Sequence, residues 1–208
     1  MGAPALSRPL VLASASPRRS ELLRGAGLAF RVEVSAVDEQ LDPRTPPEEA
    51  ALELAERKAR AVAQRLAART PQADVLVLAA DTIVAVPIEG RGSVMLAKAA
   101  DEREAESMLR ALSGTRHRVI TGVCALRTRD LALERGFERT FVTMRALTQA
   151  ELAAYVASGE WRDKAGAYAI QESADRFVTS LEEGGFDNVV GLPVKLSLRL
   201  LAALDLRP

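Results

Sequence analysis

The sequence predicts an α/β fold, with short apolar strands alternating with amphipathic helices along the chain. Three observations carry this reading. Leu10-Val11-Leu12 is a short apolar run followed by small residues and then Pro17, which reads as strand, tight turn, helix. Residues 75–86, VLVLAADTIVAV, are rich in valine, leucine and isoleucine, as a central strand requires. Between the two lies a stretch from Pro47 to about Arg69 with Leu52, Ala55, Ala59, Val62 and Leu66 at helical spacing.

In the first unit, Ser16 can cap the helix that Pro17 opens. Leu22 and Leu23 give it an apolar side, and Gly25 or Gly27 can end it. Arg18 and Arg19 fall in its first turn, where the macrodipole is already positive and favours anions. Solvent could absorb one such arginine. Two of them, after a turn of small residues, point to an anion site, because helix N-termini and guanidinium forks both bind phosphate.

Residues 30–37, FRVEVSAV, alternate as a half-exposed strand would, and Asp38-Glu39-Gln40 read as a solvated turn. Prolines make 41–47 a loop. Lys58 lies beside the apolar stripe of the long helix, and either snorkels to water or points into a cleft. Asp81 interrupts the central strand. A carboxylate there is costly unless it is paired or ligates a cation, so it is read as a site residue rather than a strand kink.

Residues 87–97 form a loop or hairpin with Gly90 and Gly92, and Lys98 follows. A helix over 101–112 is opened by Asp101 and stopped by Ser113-Gly114. Residues 117–128 and 137–147 read as two antiparallel strands, with His117 a surface residue at the start of the first. Thr148 and Glu151 form a capping-box pattern before a helix that stops at Gly159. In the irregular stretch 160–177, Trp161 and Tyr168 read as core and Gly166 as a point of close backbone approach. Gln171 either reads a base edge or ties down a loop. Pro193 heads the last helix.

The chain's 208 residues allow one large domain or two lobes, and its 48% apolar content allows a real core. Lysine plus arginine balance aspartate plus glutamate at 28 each, which argues against a partner such as nucleic acid or an anionic membrane. Positive charge for a ligand must therefore be local. The single cysteine, Cys124, excludes an internal disulfide and a cysteine-rich metal site and reads as a core residue. The single histidine leaves little room for histidine-based zinc chemistry. No apolar run approaches a membrane span, and the start, MGAPALSRPL, has no signal-peptide pattern, so the expected location is the cytoplasm.

Arg18, Arg19, Lys58 and Lys98 are thus candidate cationic contacts, and Asp81, with Glu39 as helper, a candidate carboxylate pair. Phosphoryl transfer needs charge neutralisation, a divalent metal held by oxygens and an oriented nucleophile. The P-loop, G-x-G-x-x-G, G-x-S-x-G and H-E-x-x-H patterns are all missing from the sequence.

LASASPRRSELL, ERKAR, AADTIVAV, LAK, SGTRHRVITGV, DKAGAYAIQ and NVVGLP follow one another along the chain. In this order they resemble the Maf family of nucleoside triphosphate pyrophosphatases, over roughly residues 9–204. The resemblance implies one domain over 1–208, a mixed twisted sheet with flanking helices and two lobes around a central cleft, as in inosine-triphosphate pyrophosphatases. It implies cleavage between the α and β phosphates with a divalent metal such as Mg²⁺ or Mn²⁺. Asp81 matches the family's catalytic aspartate. Ser14, Arg19, Lys58 and Lys98 match its phosphate-binding positions, and Glu39 matches an acidic helper that, with Asp81, would hold metal. Arg18, Thr82 and Gln171 match the subgroup acting on dTTP and UTP, with modified pyrimidine triphosphates as further candidates. The alternatives are a 7-methyl-GTP-type enzyme, a phosphatase that strips the terminal phosphate, and a non-catalytic nucleotide-binding regulator of cell division. Arg57 departs from the pattern, since many relatives carry an acidic residue before the lysine. A homodimer is the assembly that the resemblance implies.

Overall fold

A computed structural model of the chain describes residues 6–42, 44–88, 90 and 92–206. Residues 1–5, half of the stretch MGAPALSRPL, lie outside them. The elements, in order, are β1 (Leu10–Leu12), α1 (Pro17–Gly25), β2 (Arg31–Val32), α2 (Pro47–Arg69), β3 (Leu76–Ile88), β4 (Gly92–Leu96), α3 (Glu102–Leu112), β5 (Arg116–Arg127), β6 (Leu133–Met144), α4 (Gln149–Ser158), β7 (Val178–Glu182), α5 (Phe186–Val190) and α6 (Val194–Asp205). The strand order is β2-β1-β3-β5-β6-β7, with β4 also on β3. β1 runs parallel to both β2 and β3, whereas β4 is antiparallel to β3 and β7 to β6. The mixed α/β sheet with helices is therefore as expected. A short central strand with parallel neighbours has to be apolar throughout, which explains the LVL run.

The chain divides into two compact units. The first comprises Met1–Asp81, Thr121–Glu138 and Gly191–Pro208. Alternation along β1 and β3 builds two cores here. Leu10, Leu12, Leu76 and Leu78 face Leu23 of α1 and the leucines of α6. Val11, Val77 and Ala79 face Ala55, Ala59, Val62 and Ala63 of α2. Cys124 joins this second core, as expected, and its burial pushes the thiol up to about 12. α2 begins and ends as predicted, but its buried face runs through Ala51, Leu54, Ala55, Lys58, Ala59 and Val62, and Leu52 is only half-buried. Small side chains let α2 lie close to the sheet. A Cβ built on Gly122 of β5 would lie 2.3 Å from the Ala51 backbone.

The strand expected over 30–37 is two residues long. The Glu33 amide still bonds the Leu12 carbonyl at 3.0 Å. Beyond it, polar groups of α2 take over: Arg65 and Arg69 pair with the Glu33 carboxylate, and Arg65 takes the Val34 carbonyl at 2.6 Å.

The second unit comprises Thr82–Ile120 and Arg139–Val190. Its core joins Val84, Val119 and Val142 to Leu109 and Leu112 of α3, Leu152 and Tyr155 of α4, and Trp161, Tyr168 and Phe177. The predicted caps are all present. Asp101 accepts from the Glu104 amide at 2.8 Å, the Thr148–Glu151 box is complete, and Gly159 ends α4 at φ 74°. Gly166 (φ 69°) permits the close approach expected of it, since a Cβ there would meet Val84 at 3.0 Å. The two long strands are neighbours, but β6 begins at Leu133 rather than 137, after a turn closed by Arg127 N–H and the Ala132 carbonyl in the first unit. β7 and α5 were not anticipated, because each is five residues long, too short for a periodic pattern to register.

His117 overturns its surface reading. It is fully buried, its Nε2 shares a 2.9 Å hydrogen bond with the Tyr168 hydroxyl, and its Nδ1 has no hydrogen-bond partner among the described residues. Burial pushes its pKa down to about 4.

Two outcomes follow for stability. Gly122→Ala should lower unfolding free energy by about 3 kcal/mol, as overpacking against rigid backbone does, read from the denaturation midpoint. For His117 the folded state refuses a proton that the unfolded state accepts. Its contribution is therefore intact above about 6.5 and is lost as pH falls towards about 4, with a limit of about 3 kcal/mol. Urea titrations across that window should show a steeper acid-side loss in the wild type than in His117→Gln.

Candidate active site

The turn after β1 places Ser14 almost fully buried, its Oγ accepting from the Ser16 amide at 3.1 Å. Ser16 caps α1 through the Arg19 amide at 3.5 Å, with Pro17 in the first turn as expected. Arg19 turns back from this helix start. Its Nε donates to the Gly191 carbonyl at 2.8 Å and its Nη1 to the Ala80 carbonyl at 2.7 Å, with Ser14 Oγ at 3.5 Å. The guanidinium is thus pinned beside the residue that precedes Asp81. Burial pushes its pKa down, while Asp81 and Glu39 push it up and Arg18 down, so all three act on it electrostatically. Arg18 is half-buried in the same turn of α1.

Asp81 lies midway along β3 and is nearly buried. The Lys58 ammonium, also nearly buried, donates to Asp81 Oδ1 at 2.5 Å and pairs with Glu39 Oε1 at 2.6 Å. Lys58 therefore does not snorkel. It lies inside, between two carboxylates. Glu39 is the exposed end of this trio, with 46% of its side chain accessible. The expected solvated turn at 38–40 is in part a tether for a carboxylate.

The two carboxylates converge on one ammonium nitrogen, and such oxygen donors are the kind a hard divalent cation takes. The described residues contain no group of three or more histidine, cysteine, aspartate and glutamate side chains suited to a metal. Among the described residues, the carboxylate donors for a cation here are therefore Glu39 and Asp81. Magnesium is commonly held this way, with phosphate oxygens and water completing its shell. Lys58 pairs with both carboxylates and Arg19 interacts electrostatically with both, so cationic groups stand with them at the start of a helix, where a polyanion can bind.

The first unit thus holds Ser14, Arg18, Arg19, Glu39, Lys58 and Asp81. The other candidates belong to the second. Thr82 follows Asp81 in β3 and is half-buried, and Lys98 is exposed and forms a bridge with Ala165. Gln171 is exposed, not buried, in the turn after Ile170. Sequence reasoning missed the carbonyls of Ala80 and Gly191 that hold Arg19. It also missed the part played by Arg57, whose Nη1 reaches the Asp38 and Gln40 carbonyls at 3.3 and 2.8 Å. No sequence signal announces either.

The architecture is that of an α/β protein with a cation-and-carboxylate cluster at the first strand–helix turn. Residues 9–204 match the family model described as Maf-like protein, and the chain belongs to that family. It is 46% identical over 199 residues to a dTTP/UTP pyrophosphatase of Deinococcus radiodurans, covering 95% of this chain and 94% of the relative. Relatives bearing the same name in Hyphomonas neptunium and Caldicellulosiruptor saccharolyticus are 45% and 43% identical. They match 97% and 90% of this chain and 98% and 90% of their own lengths.

Lys58→Met removes the counter-ion from a nearly buried carboxylate and leaves Asp81 facing Glu39. An unpaired buried charge of this kind costs about 3 kcal/mol. Thermal unfolding at neutral pH should show the loss as a lowered Tm.

Proposed function

We propose that the chain hydrolyses nucleoside triphosphates, dTTP and UTP foremost, to the monophosphate and pyrophosphate. The observation that carries this is the Asp81–Lys58–Glu39 trio beside Arg19 at the start of α1. The relatives named dTTP/UTP pyrophosphatase, matched over nearly their whole length, supply the substrate.

The chain's own groups divide the work. Arg19 and Ser14, with the Arg18 amide in the first turn of α1, hold phosphate oxygens. Asp81 takes a proton from the attacking water as the water oxygen bonds to the α-phosphorus. The bridging P–O bond breaks, and its electrons leave with pyrophosphate. Lys58 offsets the negative charge that accumulates there, a role that the family resemblance extends to Lys98. Glu39 and Asp81 hold a divalent cation such as Mg²⁺ or Mn²⁺. Such a cation, when bound, supplies positive charge against the phosphate oxygens. The family resemblance assigns base selection to Arg18, Thr82 and Gln171, and a glutamine amide can both donate to and accept from a pyrimidine edge. This reading implies the cytoplasm, where such substrates are held.

The test is a panel of dTTP, UTP, modified pyrimidine triphosphates and 7-methyl-GTP, with pyrophosphate and orthophosphate measured separately. Metal-dependent pyrophosphate release with a pyrimidine preference is expected. Asp81→Asn should reduce it roughly a thousandfold while leaving the fold intact. Orthophosphate as the product, or undiminished turnover in Asp81→Asn, would refute the assignment.

A further inference from the structure

Glu39 sits in a segment, 33–42, that belongs to neither strand nor helix. A carboxylate on such a segment needs its backbone held if it is to stay beside Asp81. The holding groups come from one side of α2. Arg65 and Arg69 take Glu33 and the Val34 carbonyl at the near end. Arg57 lies two turns before Arg65 on the same side of the helix. Its Nη1 donates to the carbonyls of Asp38, at 3.3 Å, and Gln40, at 2.8 Å, the two residues flanking Glu39. Its Nη2 is itself anchored by Glu53, one turn earlier. The next residue, Lys58, takes the Glu39 carboxylate. Backbone and side chain at this position are thus gripped by consecutive residues of one helix.

We infer that Arg57 is a positioning residue. It fixes the main chain on both sides of Glu39, so that the carboxylate is already placed for the cation it shares with Asp81. The inference rests on the reading that Glu39 and Asp81 hold that cation. Nothing about Arg57 requires contact with substrate. Its effect is preorganisation: a segment held in one conformation has less freedom to lose when Glu39 becomes a ligand. A guanidinium can reach two carbonyls from one rigid fork, whereas a lysine ammonium on a flexible stem holds them less well. Groups that orient metal ligands typically change affinity by roughly tenfold or more when removed.

The test uses substrate-free protein titrated with Mn²⁺, the free ion being followed by electron paramagnetic resonance. Arg57→Ala should weaken Mn²⁺ binding roughly tenfold, with Arg57→Lys in between. In a Glu39→Gln background, Arg57→Ala should have no further effect. Hydrogen exchange of the 36–42 amides should speed up in Arg57→Ala. Wild-type affinity in Arg57→Ala, or an equal loss in the Glu39→Gln background, would overturn the inference. The underlying reading fails separately. If neither Asp81→Asn nor Glu39→Gln changes Mn²⁺ affinity, the cation is held elsewhere and both ideas fall. If those two variants weaken binding and Arg57→Ala does not, only the role of Arg57 is lost.

Discussion

One ammonium group between two carboxylates constrains the first unit. Lys58 is on the buried face of α2, where an unpaired lysine would be costly, and Asp81 is on an interior strand, where an unpaired carboxylate would be equally so. Each is tolerable because the other is there. Their 2.5 Å contact limits how far α2 can stand from β3. The alanines of α2 and Gly122 of β5 serve that limit, since larger side chains would lift the helix and separate the pair. A pattern that looks like ordinary small-residue packing thus has a consequence for chemistry.

Arg19 shows the same coupling from the other direction. An arginine in the first turn of a helix opposes the macrodipole, and partial burial adds to the cost. Two main-chain carbonyls, of Ala80 and Gly191, offset it and aim the guanidinium. Local preference and tertiary placement disagree at this residue. Such disagreements concentrate where a protein binds something, and a polyanion would resolve this one.

Glu39 differs from both because it lies on irregular chain. Its carboxylate is useful only if its backbone is steady, and that steadiness comes from the helix that also carries Lys58. α2 is therefore more than a packing element. Its apolar side closes a core, its inward lysine engages the carboxylates, and its arginine row straps down the segment that delivers one of them.

Much of this was legible in the sequence wherever a signal acts over a few residues. Pro17 and Ser16 start α1, the Thr148–Glu151 box starts α4, and Gly159 stops it, because each satisfies or frees a nearby backbone group. The crowded positive charge at Arg18 and Arg19 and the misfit of Asp81 in an apolar strand were visible for the same reason, as local conflicts of charge and burial. Tertiary structure alone decided the partners. Lys58 meets Asp81 across 23 positions, and His117 meets Tyr168 across 51. The strand expected over 30–37 stopped early because arginines more than thirty residues away competed for its polar groups. By itself the sequence determined which groups were costly where they stood, since that depends on neighbours along the chain. What relieves each cost depends on contacts between distant segments, and only folding brings those together.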